Sequence, residues 1–176
     1  MNVYILASTR TPIGSYNGTL REFSAVDLAS AVLSELPRRA NVAAAEVNSV
    51  ILGNVLSAGL GQHPARQAMI KSGYSLGSSA YSVNKVCSSG LLAIAQGYEK
   101  IRNGHSALVA AVGAESMTNA VTYIPGYKKG QDIASENLVR SFLHDGLLDP
   151  YSRQSMGNLG ELCASKFCIT RDQQDT

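Results

Sequence analysis

YSVNKVCSSGLLAIAQGYEKIRNGHSALVAAV, residues 81–112, carries the decision about the fold. Tyr81 to Val86 reads as a strand, and Ser88 to Arg102 as a helix with Leu91, Leu92, Ile94, Ala95, Tyr98 and Ile101 on a broad apolar face. Asn103-Gly104 ends that helix, and Ala107 to Val112 is a second short apolar run leading into Gly113. A strand, a crossing helix and a second strand make the unit from which parallel sheets are built.

The same alternation extends toward the N-terminus. Val3 to Ser8 reads as a buried strand, followed by a loop with turn signals at Pro12, Gly14 and Asn17-Gly18. Ser24 is a plausible N-cap with Asp27 in the first turn, which predicts a helix to about Leu36, where Pro37 follows. Val47 to Val55 reads as another strand. After a Gly-rich loop, Ser57 to His63, Pro64 is well placed as a first helical residue, and Gly73 closes the helix begun there. These segments together predict a largely parallel sheet covered by helices.

From Ala114 the texture changes. Gly126, Lys128, Lys129, Gly130, Gln131 and Asp132 form a polar stretch, and clear helical periodicity returns at Met156 to Phe167. Residues from about 114 onward read as an excursion from the α/β core, a second subdomain or a long insertion. Thr170-Arg171-Asp172-Gln173 is a capping-box pattern that announces a new helix. With barely one turn before Thr176, that start signal leads to the expectation that the sequence continues in a longer protein.

Composition removes several function classes. The 176 residues suit one domain or slightly more, and 15 Lys+Arg against 13 Asp+Glu offer no basic stripe for nucleic acid. Apolar runs such as Ser106 to Gly113 fall far short of the roughly 18 to 20 residues that a membrane span needs. The first residues lack the pattern of a secretory or mitochondrial leader. Three cysteines, Cys87, Cys163 and Cys168, without CxxC spacing, indicate neither a disulfide framework nor a zinc site, and the expected setting is a reducing compartment, by default the cytoplasm. No metal site is expected.

Among the residues that carry chemistry, Cys87 stands out. It falls where a strand meets the N-terminus of an apolar helix, near unpaired N–H groups and the positive end of the helix dipole, a position that favours a nucleophilic sulfur. The same N–H groups suit an oxyanion on a carbonyl attacked by that sulfur, and Ser88, Ser89 and Gly90 keep the approach small. The competing reading makes Cys87 a small buried hydrophobe. Cys163, inside the Met156 to Phe167 helix, and Cys168, just beyond it, are read as packing residues. A nucleophilic cysteine calls for a base, and the chain offers only His63, His105 and His144, each in a loop or surface context.

Several motifs in register resemble the thiolases, particularly the short-chain acetyl-CoA acetyltransferases. They are Arg10 to Gly14 with Asn17-Gly18, Gly61 to Ala68, Asn84 to Leu91, and Gly113-Ala114-Glu115-Ser116-Met117, continued by Asp145-Gly146-Leu147, Met156-Gly157 and Ile169 to Asp175. The resemblance implies an α/β fold, the N-terminal αβα half of a thiolase with a parallel-rich sheet, plus the start of an inserted coenzyme A-binding loop domain. The corresponding domains are residues 1–113 and 114–176.

By the same resemblance, Cys87 forms an acyl-enzyme from an acyl-CoA and passes the acyl group to coenzyme A or to an acetyl-CoA carbanion. Leu147 and Met156 would line the coenzyme A path, with Ser155 beside them where short-chain members usually carry His. Coenzyme A enters as substrate or product, no permanent cofactor is implied, and family members are homodimers or homotetramers. His63 replaces a common Asn, and Ala114 a common Met. The family's activating His, its Asn and His oxyanion donors and its second Cys lie in a C-terminal half, and residues 1–176 contain no Gly-His-Pro and no late Cys-x-Gly segment. The chain alone is therefore expected to be inefficient in turnover. Two other readings remain at this point: a hydroxymethylglutaryl-CoA synthase-like condensing acyltransferase, and a noncatalytic partner subunit.

Overall fold

The computed structural model describes residues 2–130, 132 and 134–176; Gln131 of the polar stretch lies outside the described residues. The chain forms two compact units, Met1–Ala120 and Val121–Thr176. The division falls after Ala120 rather than before Ala114 because the intervening segment is tied to the first unit. Ala114 donates its N–H to the Gly53 carbonyl, Ser116 Oγ donates to the Phe23 carbonyl, and Asn119 Nδ2 donates to the carbonyls of Arg21 and Phe23.

In the first unit, β1 (Ser49–Gly53) lies between β2 (Ser79–Val83) and β3 (Val109–Gly113), parallel to both. Helices α1 (Ala25–Ala40) and α2 (Pro64–Lys71) cover one face. Val26, Ala29 and Leu33 of α1, Ala65, Ala68 and Met69 of α2, and Val50 and Leu52 of β1 share one buried cluster. Helix α3 (Ser89–Arg102) covers the other face, toward which the alternate β1 residues Ser49, Ile51 and Gly53 point. Burial of Leu33, Ile51, Leu52 and Met69 stabilises the unit by roughly 1.5–3 kcal/mol for each side chain.

Two local signals act as the sequence suggests. Ser24 Oγ accepts from the Asp27 N–H at 3.1 Å while Asp27 Oδ2 accepts from the Ser24 N–H at 2.9 Å, a reciprocal cap. His63 caps α2 and Pro64 opens it. Pro37 does not end α1, which continues to Ala40. Proline has no N–H for the Leu33 carbonyl four residues back; Tyr74 Oη donates to that carbonyl instead, at 2.9 Å.

Two expectations are corrected. Val3 to Ser8 forms no strand: Tyr4, Ile5 and Leu6 are 72%, 84% and 57% exposed. A strand requires ladder hydrogen bonds to an edge about 4.7–4.9 Å away, whereas here a groove of about 1060 Å³ is bounded by this segment and β3. The buried stripe of α3 is Ser89, Ala93 and Gly97, while Leu91, Ile94 and Tyr98 of the expected apolar face are exposed. Small residues face the sheet because the helix lies very close to it. A Cβ on Gly53 would meet the Ser89 carbonyl carbon at 2.4 Å, one on Gly113 would meet Gly90 Cα at 3.2 Å, and one on Gly97 would meet the Val109 side chain at 3.3 Å.

The second unit pairs β4 (Thr122–Tyr123) with antiparallel β5 (Val139–Arg140), followed by a wide helical turn at Phe142–Leu147. Helix α4 (Met156–Phe167) covers the residues that its periodicity indicated, and α5 (Arg171–Gln174) starts on the Thr170–Gln173 capping box. Cys163 and Cys168 are exposed, which corrects their reading as packing residues. Helix α4 has no buried residues, so its apolar period alone did not determine burial.

Replacing Gly53 by Ala should destabilise the protein by about 3 kcal/mol or more, because backbone must move to admit the methyl group. Gly160→Ala in α4 meets no atom within 4 Å and should stabilise its helix by about 0.5–1 kcal/mol, both read from denaturant midpoints. The Lys71 ammonium and the Ser24 cap hold the Asp27 carboxyl at about 2, below its ordinary 3.8. The resulting stabilisation is complete above the unfolded value and disappears as pH falls through the folded one. Asp27→Asn should therefore lower stability at about pH 6, with the effect shrinking steadily as pH falls toward the folded value of about 2.

Candidate functional site

Between β2 and α3 the chain turns through Asn84, Lys85, Val86, Cys87 and Ser88. Val86 holds a left-handed conformation, φ 51°, which is costly for a β-branched residue and persists only when its surroundings dictate it. Its N–H donates to Asn84 Oδ1 at 2.9 Å, and its carbonyl accepts from Ser89 Oγ at 2.6 Å and from the Ser89 N–H at 3.0 Å. Ser89 Oγ also accepts from the Lys85 N–H at 2.8 Å, while Lys85's carbonyl accepts from the Ser88 N–H at 3.1 Å. Cys87 follows this fastened turn directly and is exposed, which removes the reading of it as a buried hydrophobe.

The sulfur therefore stands at the start of α3, where helix amides are unpaired. The N–H groups of Gly90 and Leu91 have no backbone acceptor among the described residues. Close contact with Gly53 sets the depth at which this helix start lies on the sheet. A carbonyl brought to Cys87 would meet a sulfur on a rigid turn beside amide donors, an arrangement suited to addition at carbon with charge developing on oxygen.

Neither histidine of the first unit is arranged as a base for Cys87. His63 Nδ1 accepts from the Arg66 N–H at 3.2 Å, so this ring nitrogen caps α2. His105 follows the far end of α3, a 14-residue helix and so roughly 20 Å from its start. His144 belongs to the second unit, where its Nδ1 lies 2.8 Å from Asp145 Oδ1 and Tyr123 Oη donates to the same oxygen at 2.8 Å. The bond to His144 holds the Asp145 carboxyl below its ordinary range, and the bond to Asp145 pushes the Tyr123 phenol up.

Leu147, Ser155 and Met156 also lie in the second unit and gather at one end of α4. Leu148 bridges to Ser155 across a short loop, closed by Asp149 Oδ2 accepting from the Ser152 N–H at 2.6 Å. Leu147 and Met156 flank that bridge. Ser155 Oγ accepts from the Asn158 N–H at 3.2 Å and caps α4. Met156 is 39% exposed. Among the described residues no group of three or more His, Cys, Asp or Glu could hold a metal, and no helix is long and apolar enough to cross a membrane.

Sequence reading treated Ser89 only as a small residue and gave Asn84 no role of its own. Asn84 had a legible signal, since Asn commonly accepts from the N–H two residues on. The two bonds of Ser89 depend on the return of the chain around Val86 and carry no comparable local pattern.

Residues 3–176 match the family model described as thiolase, N-terminal domain. The chain is 42% identical over 174 residues to an acetyl-CoA acetyltransferase of Pseudomonas aeruginosa, covering 99% of this chain and 44% of that protein. It is 43% identical to acetyl-CoA acetyltransferase 2 of Arabidopsis thaliana, covering 99% of this chain and 43% of the relative. Among solved structures, Acat5 thiolase from Ascaris suum in complex with coenzyme A matches with a TM-score of 0.87 and 41% identity, over 98% of this chain and 44% of that one. The chain thus spans less than half the length of these relatives.

Ser89→Ala would leave the Lys85 N–H and the Val86 carbonyl each one partner short and should destabilise the first unit by about 1–3 kcal/mol. Ser88→Ala, at an exposed side chain that makes no cap bond, should stay within about 0.5 kcal/mol in the same denaturation measurement.

Proposed function

The chain belongs to the thiolase family, and on that premise we propose that Cys87 accepts an acyl group from an acyl-CoA as the first half of an acyl transfer. The Cys87 thiolate adds to the thioester carbonyl, a new sulfur–carbon bond forms, and the coenzyme A thiolate leaves. In Claisen condensation the acetyl group gained in this way passes to an acetyl-CoA carbanion. In thiolytic cleavage the thiolate instead adds to the keto carbon of acetoacetyl-CoA, the carbon–carbon bond breaks as acetyl-CoA leaves as a carbanion that takes up a proton, and the acetyl group then passes to the coenzyme A thiolate. Amides at the start of α3 would stabilise the oxyanion formed in the addition. The observation that carries this reading is the exposed sulfur immediately after left-handed Val86, fastened by Ser89 and Asn84.

The second unit is assigned to coenzyme A, with Leu147 and Met156 against the pantetheine and adenine path and Ser155 holding the start of α4 beside them. Support comes from the convergence of these residues at one helix end. The proposed chemistry of the first unit stops near the acyl-enzyme, because His63 Nδ1 caps α2 and His105 is a helix length away. Deprotonating acetyl-CoA or an incoming thiol needs a base within hydrogen-bond reach.

Incubation with acetyl-CoA followed by intact-mass and peptide analysis tests both parts. One acetyl group should appear on Cys87, none on Cys163 or Cys168, and none at all on Cys87→Ser. Acetoacetyl-CoA cleavage by the 176-residue chain should lie at least about 100-fold below that of a full-length acetyl-CoA acetyltransferase. An unmodified Cys87 would overturn the acyl-enzyme, and near-normal turnover would overturn the missing base.

A further inference from the structure

Glu115 is a partly buried acid just beyond the end of β3 whose engagement the reaction above does not require. Its Oε2 accepts from the Val55 N–H at 2.8 Å, and its Oε1 accepts from Asn54 Nδ2 at 2.9 Å and from the Leu56 N–H at 3.3 Å. The carboxylate thereby clamps the chain as it leaves β1. On the other side of that peptide segment, the Val55 carbonyl accepts from Asn84 Nδ2 across a long 3.4 Å contact. The same Asn84 side chain receives the Val86 N–H on its Oδ1 at 2.9 Å, one residue before Cys87.

We infer that Glu115 is a positioning residue for Cys87, acting through the Val55 peptide and the Asn84 side chain on the left-handed Val86 turn. The inference rests on the reading of Cys87 as the reacting sulfur. The bonds from Glu115 to the Val55 segment and from Asn84 to the Val55 carbonyl join segments far apart in sequence, and the last step to the Val86 N–H is local. Together they connect rigid ends: the exits of β1 and β3 on one side and the start of α3 on the other. The Asn54 amide supports the clamp. It is 3% exposed and donates both to the Ala114 carbonyl at 3.0 Å and to Glu115, leaving Oδ1 with no partner among the described residues. Its orientation therefore follows the acceptors at the exit of β3 at the expense of its own oxygen. Burial pushes the Glu115 carboxyl up, and its three donors offset only part of that cost. A neutral side chain would avoid the desolvation, so packing alone does not account for a carboxylate here.

Amide hydrogen exchange read by NMR, together with the rate of iodoacetamide alkylation of each cysteine, tests the relay in the parent protein and in Glu115→Gln. The amide group of Gln turns a donor toward one of the three N–H donors. Exchange should then rise by about tenfold at Val55 and Leu56 and also at Val86, with the central β1 amides unchanged. Alkylation of Cys87 should slow several-fold against an unaltered rate at Cys163 and Cys168. Faster exchange confined to Val55 and Leu56, with Val86 and Cys87 as in the parent, overturns the inference.

Asn84→Ala interrupts the relay beyond the clamp and keeps the test open if Glu115→Gln does not fold. This variant removes the acceptor of the Val86 N–H itself, so Cys87 carries this arm: its alkylation should slow several-fold while Leu56 stays protected, and an unaltered Cys87 rate overturns the inference. The exchange measurement uses no acyl donor. Failure of Cys87 to take an acetyl group would therefore remove the proposed reaction while the Val86 result still decides the relay.

Discussion

Backbone-to-backbone contact between α3 and the ends of β1 and β3 is the constraint on which the first unit depends. Gly53 and Gly113 are register partners in adjacent strands, and both face the first turn of α3 without a side chain between. A methyl group at Gly53 would overlap the Ser89 backbone. The small stripe Ser89, Ala93 and Gly97 is the matching condition on the helix, and it explains why larger apolar residues such as Leu91 point away from the sheet. Placing a helix start this low brings its free amides and Cys87 to the carboxyl edge of a parallel sheet, where α/β proteins place ligands.

The turn that delivers Cys87 reconciles two rigid bodies. Strand β2 must end and α3 must begin within a few residues, and Val86 takes up the change of direction in a conformation unfavourable to its branched side chain. Hydrogen bonds from Ser89, Asn84 and the backbone compensate locally, so the strain can persist at an exposed position. Rigidity serves a nucleophile because little remains to be ordered when the substrate arrives. The histidines of the chain show the opposite case, with ring nitrogens used in a helix cap and a surface pair.

The second unit has less regular structure, and its candidate residues are organised by a short closed loop. The Leu148–Ser155 bridge and the turn around Asp149 bring Leu147 next to the start of α4, so residues eight or nine positions apart become neighbours. The cap on Asn158 gives Ser155 a structural function, and a polar contact to a ligand would have to share that oxygen. The motif resemblance selected these positions, and the fold supplies the reason that they act as one group.

Sequence alone determined what local physics controls. The Ser24 N-cap, the Thr170 capping box, the Pro64 helix start, the span of α4 and the parallel order around residues 81–112 follow from hydrogen-bonding options and periodicity within a few residues. The strand-Cys-helix junction was legible for the same reason. Tertiary structure decided what depends on a distant partner. Whether Val3 to Ser8 pairs depends on an edge being within reach; whether Pro37 ends a helix depends on Tyr74 serving the vacated carbonyl; and which face of α3 is buried depends on how closely a glycine-edged sheet lets it approach. The relay from Glu115 to Asn84 belongs to this second group, because its bonds to the Val55 segment join stretches that only the fold brings within 3.5 Å of one another, and only its last step, from Asn84 to the Val86 N–H, is local.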